Sequence, residues 1–251
     1  MPTRTGDFSG LHVIITNISQ RLLAGLYLLM VASLATATAT VENYDYPITD
    51  RFVATVVGTP LGYEADLPKS IPFKKRRLEV FPERELPDLI WYGREMIYSE
   101  ALQKRPAPLI FLIAGTGASH NGAKNVNMAR AFYKAGFHVV SLSSPTYPNF
   151  VSSASSTGVV GHAQNDAEDL YRVMEMIWKR LDDKIEATSF NLTGYSLGAF
   201  NSAFVAKLDE DRKSFNFRRV LLINPPVSLY NSISLLDRMT ENIPGGEDNF
   251  D

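Results

Sequence analysis

Between residues 108 and 225 the chain alternates strictly between apolar runs of strand length and segments with helical period, and this alternation restricts it to very few folds. "LIFLIAG" is a fully apolar run closed by glycine, the pattern of a strand buried on both faces. "NVNMARAFYKAG" follows, with Val126, Ala129 and Phe132 or Tyr133 at helical spacing and Gly136 placed as a C-terminal cap. "FHVVSLSSP" is the next strand, and after a Ser-rich loop Leu170, Val173, Met174, Ile177 and Leu181 form one apolar helical stripe. "ATSFNLTG" reads as strand, "LGAFNSAFVAKL" as helix and "RRVLLINPP" as strand. Such an order calls for right-handed crossovers and an α/β fold with a mostly parallel sheet covered by helices on both faces. Ligands of such sheets bind where the strands end, at the carboxyl edge.

The segments around this core read differently. From about residue 40 to 105, "RFVATVVGTP", "RRLEVFP" and "LIWYGREMIYSE" suggest antiparallel strands broken by turns. Lys74-Lys75-Arg76-Arg77 reads as a solvated strand start. Leu229, Ile233, Leu236, Met239 and Ile243 keep helical spacing until Pro244-Gly245-Gly246, which suits either the first helix of a cap or a helix packed on the sheet. Near the start, Arg21 precedes "LLAGLYLLMVASLATATA", in which Ala37-Thr38-Ala39 fits an A-x-A cleavage pattern. Residues 1–39 are therefore expected to be a secretory signal peptide, giving a periplasmic or secreted product; the alternative is an uncleaved anchor through residues 22–39. The expected organisation is signal 1–39, N-terminal strands 40–105, core 106–225 and the start of a cap or lid at 226–251.

Composition narrows the function classes. The 251 residues are 45% hydrophobic and 21% charged with a formal charge of only -2, so no strong field draws the chain to nucleic acid. Cysteine is absent, which removes disulfides, thiolate metal sites and a cysteine nucleophile. Four scattered histidines give no ligand pair at helical spacing, so neither a metal nor another cofactor is expected. Gly117, Gly122 and Lys124 superficially suggest a phosphate-binding loop, but Ala123 separates the second glycine from the lysine and Asn125 stands where Ser or Thr is required.

Gly194-Tyr195-Ser196-Leu197-Gly198 sits at a strand-to-helix junction. A pentapeptide G-x-S-x-G alone is weak, but in that context it has the form of a nucleophile elbow. A serine in so tight a turn is forced into a strained conformation, and Gly194 and Gly198 remove the side chains that would collide. The helix beginning at Leu197 aims free NH groups at the same point. The turn "IAGTGASHNG" can offer a second oxyanion donor.

On "LIAGTGAS" and "LTGYSLGAF", residues 108–225 resemble the α/β-hydrolase superfamily. The resemblance implies Ser196 as nucleophile, the NH groups of Leu197 and Thr116 as oxyanion hole, and hydrolysis of a small-molecule carboxylic ester or related acyl compound through an acyl-enzyme. The family usually opens its oxyanion loop with His-Gly, whereas Ala114 precedes Gly115 here. In family order the acid and then the histidine follow the serine, yet no histidine follows Ser196, and the chain ends soon after what would be the sixth strand. The expectation is an N-terminal portion of a hydrolase with little turnover, the C-terminal part of the fold being absent; the alternative is a non-catalytic binding protein on the same fold. Of the upstream histidines, His12 lies in the presumed signal, His138 opens a strand, and His162 starts a helix as a solvated or capping residue. His120, in the loop bordering Ser196, is the one alternative base. Asp209, Glu210, Asp211, Asp237, Glu241, Glu247, Asp248 and Asp251 follow the elbow without a recognisable seventh strand.

Overall fold

The computed structural model describes residues 46–60 and 62–241, in two units divided after Glu64. The expected signal segment, Ile243 and the acids Glu247, Asp248 and Asp251 lie outside the described residues. In the first unit "RFVATVV" is not a strand but a short helix, α1 (Arg51–Val57). Asp50 explains the difference: its carboxylate accepts from the Val53 NH at 2.9 Å and its carbonyl from the Ala54 NH, capping the helix. Val56 and Val57 are exposed, so burial of the β-branched run does not oppose the helix.

The second unit contains β1 (Lys74–Leu78), a 3-10 turn at Asp88–Gly93, β2 (Met96–Ala101), β3 (Ala107–Ile113), α2 (Ala123–Lys134), β4 (His138–Leu142), α3 (Pro148–Ser153), α4 (Ala163–Leu181), β5 (Ala187–Tyr195), α5 (Leu197–Arg212), β6 (Arg219–Ile223) and α6 (Leu229–Thr240). The strands form one sheet in the order β1-β2-β4-β3-β5-β6. β2 is antiparallel to both neighbours and every other pair is parallel. "LIWYGREMIYSE" therefore supplies the 3-10 turn before its strand, and the basic run is the exposed start of edge strand β1.

Alternation along the strands divides the core. Leu109, Phe111 and Ile113 of β3 pack with Leu170, Tyr171, Val173, Met174 and Ile177 of α4 and Val205 of α5 on one face. Ile110 and Val139 pack with Ala129 of α2 on the other. A side-chain period of two on a parallel strand buried on both faces requires this division. Register aligns Ile113 with Leu142 and Gly194, and Tyr195 with Ile223, so the segments after β3, β4, β5 and β6 emerge at one edge. The far side is less covered. Val220, Leu221 and Leu222 of β6 are exposed, as are Tyr230, Ile233, Leu235, Leu236 and Met239 of α6, so the α6 stripe is not packed on the sheet.

Among the described residues no helix is long and apolar enough to cross a membrane.

Candidate active site

Ser196 ends β5 and begins α5 with φ 54° and ψ -126°, a conformation costing an L-residue about 1–2 kcal/mol. Both flanking glycines are dictated by contact. A Cβ on Gly194 would lie 2.4 Å from the Gly198 carbonyl carbon and oxygen, and a Cβ on Gly198 would lie 2.2 Å from the Ile113 oxygen and 2.4 Å from the Ala114 oxygen. The first turn of α5 thus presses directly on the end of β3. The Ser196 NH donates to the Ile223 carbonyl at 2.9 Å, anchoring the elbow to β6 as well.

A serine preceding a helix ordinarily spends its side chain on the cap, as Ser228 does by accepting from the Asn231 NH. Ser196 makes no such bond, and it is exposed. The Leu197 NH, at the positive end of a 16-residue helix, takes no part in the cap and turn hydrogen bonds.

The loop after β3 is braced beside this point. A Cβ on Gly115 would meet the Tyr195 ring at 2.7 Å, so the loop runs against the residue preceding the serine. Gly117, at φ 64°, donates its NH to Thr146 Oγ1 at 2.8 Å, and the Ser144 NH donates to the Ala118 carbonyl. Thr116 between them is exposed and its NH is not used in the loop's hydrogen bonds. The structure therefore brings Ser196, Leu197, Gly194, Gly198 and the loop carrying Thr116 to one place. Lys124, which sequence matching to a phosphate loop singled out, instead sits 5.5 Å from the centre of the Tyr195 ring.

The His120 ring is held by β2 and lines a cavity that none of residues 194–198 lines. Its Nδ1 lies 2.8 Å from Ser99 Oγ on β2, its NH donates to Ser143 Oγ, and its carbonyl accepts from Ser141 Oγ. Three strand spacings, about 14 Å, separate β2 from β5. Burial, with the Lys75 charge adding to it, pushes the His120 pKa down to about 4. Ser99 is buried within a strand, so this Ser–His pair has no exposed nucleophile. His138, also pushed down by burial, starts β4, about 13 Å along the strand from the carboxyl edge. His162 caps α4 by accepting from the Asn165 NH.

The acids divide similarly. Asp209 is buried, accepting from Tyr171 Oη at 2.6 Å and from the NH groups of Phe215 and Phe217 at 3.0 Å. It sits about 18 Å along α5 from Leu197. Glu210 pairs with Lys207 on the helix surface. Among the described residues no group of three His, Asp or Glu side chains could hold a metal.

Sequence reading missed the bracing side chains, Thr146 and the serines at 141, 143 and 144; the serine cluster in "SLSSP" was the available signal.

The fold is α/β, a mostly parallel six-stranded sheet packed on both faces. No family model matches the chain. It is 23% identical over 205 residues to a phospholipase A1 of Vespula vulgaris, covering 73% of this chain and 57% of the wasp protein. A thermophilic carboxylesterase cloned from a metagenomic library aligns with 66% of this chain and 50% of its own, at 16% identity and a TM-score of 0.47. An esterase from Pyrococcus furiosus aligns with 69% of this chain and 57% of its own, at 13% identity and a TM-score of 0.47. The chain spans about half the length of the wasp protein and of these solved structures.

Proposed function

We propose that this chain carries the nucleophile and oxyanion hole of a serine hydrolase acting on carboxylic esters or related acyl compounds. The observation that carries the reading is Ser196 itself, strained, exposed, absent from the helix cap and flanked by two glycines that no larger residue can replace. The name of the wasp relative supports ester chemistry. In this reaction Ser196 Oγ attacks the carbonyl carbon while its proton passes to a base. The Leu197 and Thr116 NH groups receive the negative charge that develops on the carbonyl oxygen. Collapse expels the alcohol, which takes up that proton, and water then cleaves the acyl-serine to release the acid.

Among residues 46–241 none of the histidines is assigned as that base: Nδ1 is engaged in each of His120, His138 and His162, and burial pushes the His120 pKa down to about 4. A serine without a base is a weak nucleophile, so the rate at which Ser196 is acylated reports whether one reaches it. A fluorophosphonate probe applied to this chain tests the nucleophile. Labelling at Ser196, lost in Ser196→Ala, is the expected result. Ester turnover abolished both by Ser196→Ala and by His120→Gln returns His120 to the role of base. Absence of labelling makes the protein a binder on the same fold.

A further inference from the structure

A cavity of about 950 Å³ opens at the carboxyl edge over β1, β2 and β4, and none of residues 194–198 lines it. Its size falls within the range of small-molecule sites, about 300–1,000 Å³. Its walls come from the segment between β1 and the 3-10 turn, from α3 and from the Ser-rich turn at 156–158. Leu86, Ile90, Ile97 and Val151 make the apolar part of the lining.

The lining also carries positive charge that no direct ion pair cancels. Lys75 lines the cavity and takes part in none of the salt bridges among the described residues. Arg84 is half-buried, lies over the Phe81 ring, and spends its donors on the Ser152 and Ser155 carbonyls rather than on a carboxylate. Glu85 is the one acid in the lining, and it is exposed. That leaves an excess of one positive charge.

His120 supplies a directed donor. Its ring is only 4% exposed and lines the cavity. The Ser99 hydroxyl and His120 Nδ1 share a hydrogen bond of 2.8 Å, and with the hydroxyl as donor the ring proton sits on Nε2. Nε2 makes no hydrogen bond among the described residues.

We infer that this cavity is a binding site for an amphiphilic monocarboxylate, its head group between the Lys75 ammonium and the His120 Nε2–H, its alkyl chain along Leu86, Ile90, Ile97 and Val151. The site is separate from the elbow. The acid released by ester cleavage belongs to this ligand class, but binding is measured without turnover, so the inference and the proposed hydrolysis fail or survive independently.

Calorimetric titration of the 251-residue chain with decanoate, below its micelle concentration, tests the site. Stoichiometric binding is expected, with decanol at least about tenfold weaker because it lacks the charge. Lys75→Glu, at an exposed position, should weaken decanoate by at least about tenfold, and Val151→Trp should do the same by filling the apolar wall. Ser196→Ala should leave binding unchanged. Circular dichroism confirms that each variant is folded. Absence of decanoate binding up to about 1 mM, decanol binding as tightly as decanoate, or indifference to Lys75→Glu overturns the site. Loss of binding in Ser196→Ala overturns it too, by moving the ligand to the elbow.

Discussion

Gly198→Ala tests whether the elbow is locked by backbone contact or merely tolerates small residues. The added Cβ would stand 2.2 Å from the Ile113 oxygen, 2.4 Å from the Ala114 oxygen and 2.8 Å from the Ala114 carbonyl carbon. All three are backbone atoms of the β3 end, which is hydrogen-bonded within the sheet on both sides, so no side-chain rotation relieves the clash. Ordinary contact needs about 3.4 Å, so the start of α5 must retreat by about 1 Å. Overpacking of this kind costs about 1–3 kcal/mol of stability. The same retreat carries Leu197 and Ser196 away from the Thr116 loop, and a displacement of about 1 Å in a catalytic constellation costs on the order of 100-fold in rate. Two assays on one sample separate these effects, the urea midpoint for stability and the fluorophosphonate labelling rate for geometry. Gly117→Ala is the control. It has a positive φ of 64° but open space around its Cβ, so it should lose only the left-handed preference of glycine, about 1 kcal/mol. A Gly198→Ala protein as stable as wild type that labels at the wild-type rate would falsify the contact argument, since the helix would then have room that the structure does not show.

Ser196→Gly should raise stability by about 1 kcal/mol in a denaturant titration, because glycine adopts φ 54° without strain, while Ser196→Ala should leave it within about 0.5 kcal/mol; equal effects of the two would remove the strain from the account. His120 titrates near 4 when folded and near 6.5 when unfolded, so below 6.5 the unfolded chain binds more protons. Its contribution is complete above about pH 6.5 and is lost as pH falls toward 4, at most about 2 kcal/mol once water at its cavity-facing edge is allowed for; His120→Gln should flatten that part of the stability–pH curve. Asp209→Ala leaves the Tyr171 hydroxyl and two backbone NH groups without their acceptor and should cost about 3–5 kcal/mol, with no change in Ser196 labelling per folded molecule because the site is about 18 Å away.

The core was legible because its strands are buried on both faces and its helices on one. "LIFLIAG" and the stripe from Leu170 to Leu181 admit few other readings, and each became β3 and α4. Outside the core, local chemistry outweighed pattern. "RFVATVV" has the β-branched content of a strand, but Asp50 caps it into a helix, and propensity alone does not make a sheet. "RRVLLINPP" has the composition of an interior strand, and β6 nevertheless lies at the sheet edge with Val220, Leu221 and Leu222 exposed. Sequence reports what a strand is suited to be covered by; only the assembled sheet reports what covers it.

The site divides along the same line. Ser196 was legible because the elbow is a backbone device, in which two glycines and a strand-to-helix junction specify the conformation before any tertiary contact is known. The role of His120 was not legible, because position in a loop leaves the direction of the ring undetermined. Chain distance placed His120 near the oxyanion loop, and the loop does border the elbow. The ring, however, follows the serines of β2 and β4: Ser99 holds Nδ1 while Ser141 and Ser143 hold its backbone, and together they point it toward β2. Three hydroxyls scattered over 45 residues of sequence form this cradle only once β2 and β4 pair, with Ser99 opposite Ser141. A neutral imidazole so fixed, its pKa pushed down to about 4 by burial, is a poor proton acceptor and a donor available to the cavity it lines. The bond that fixes the ring on β2 therefore also places it at the wall of the neighbouring cavity.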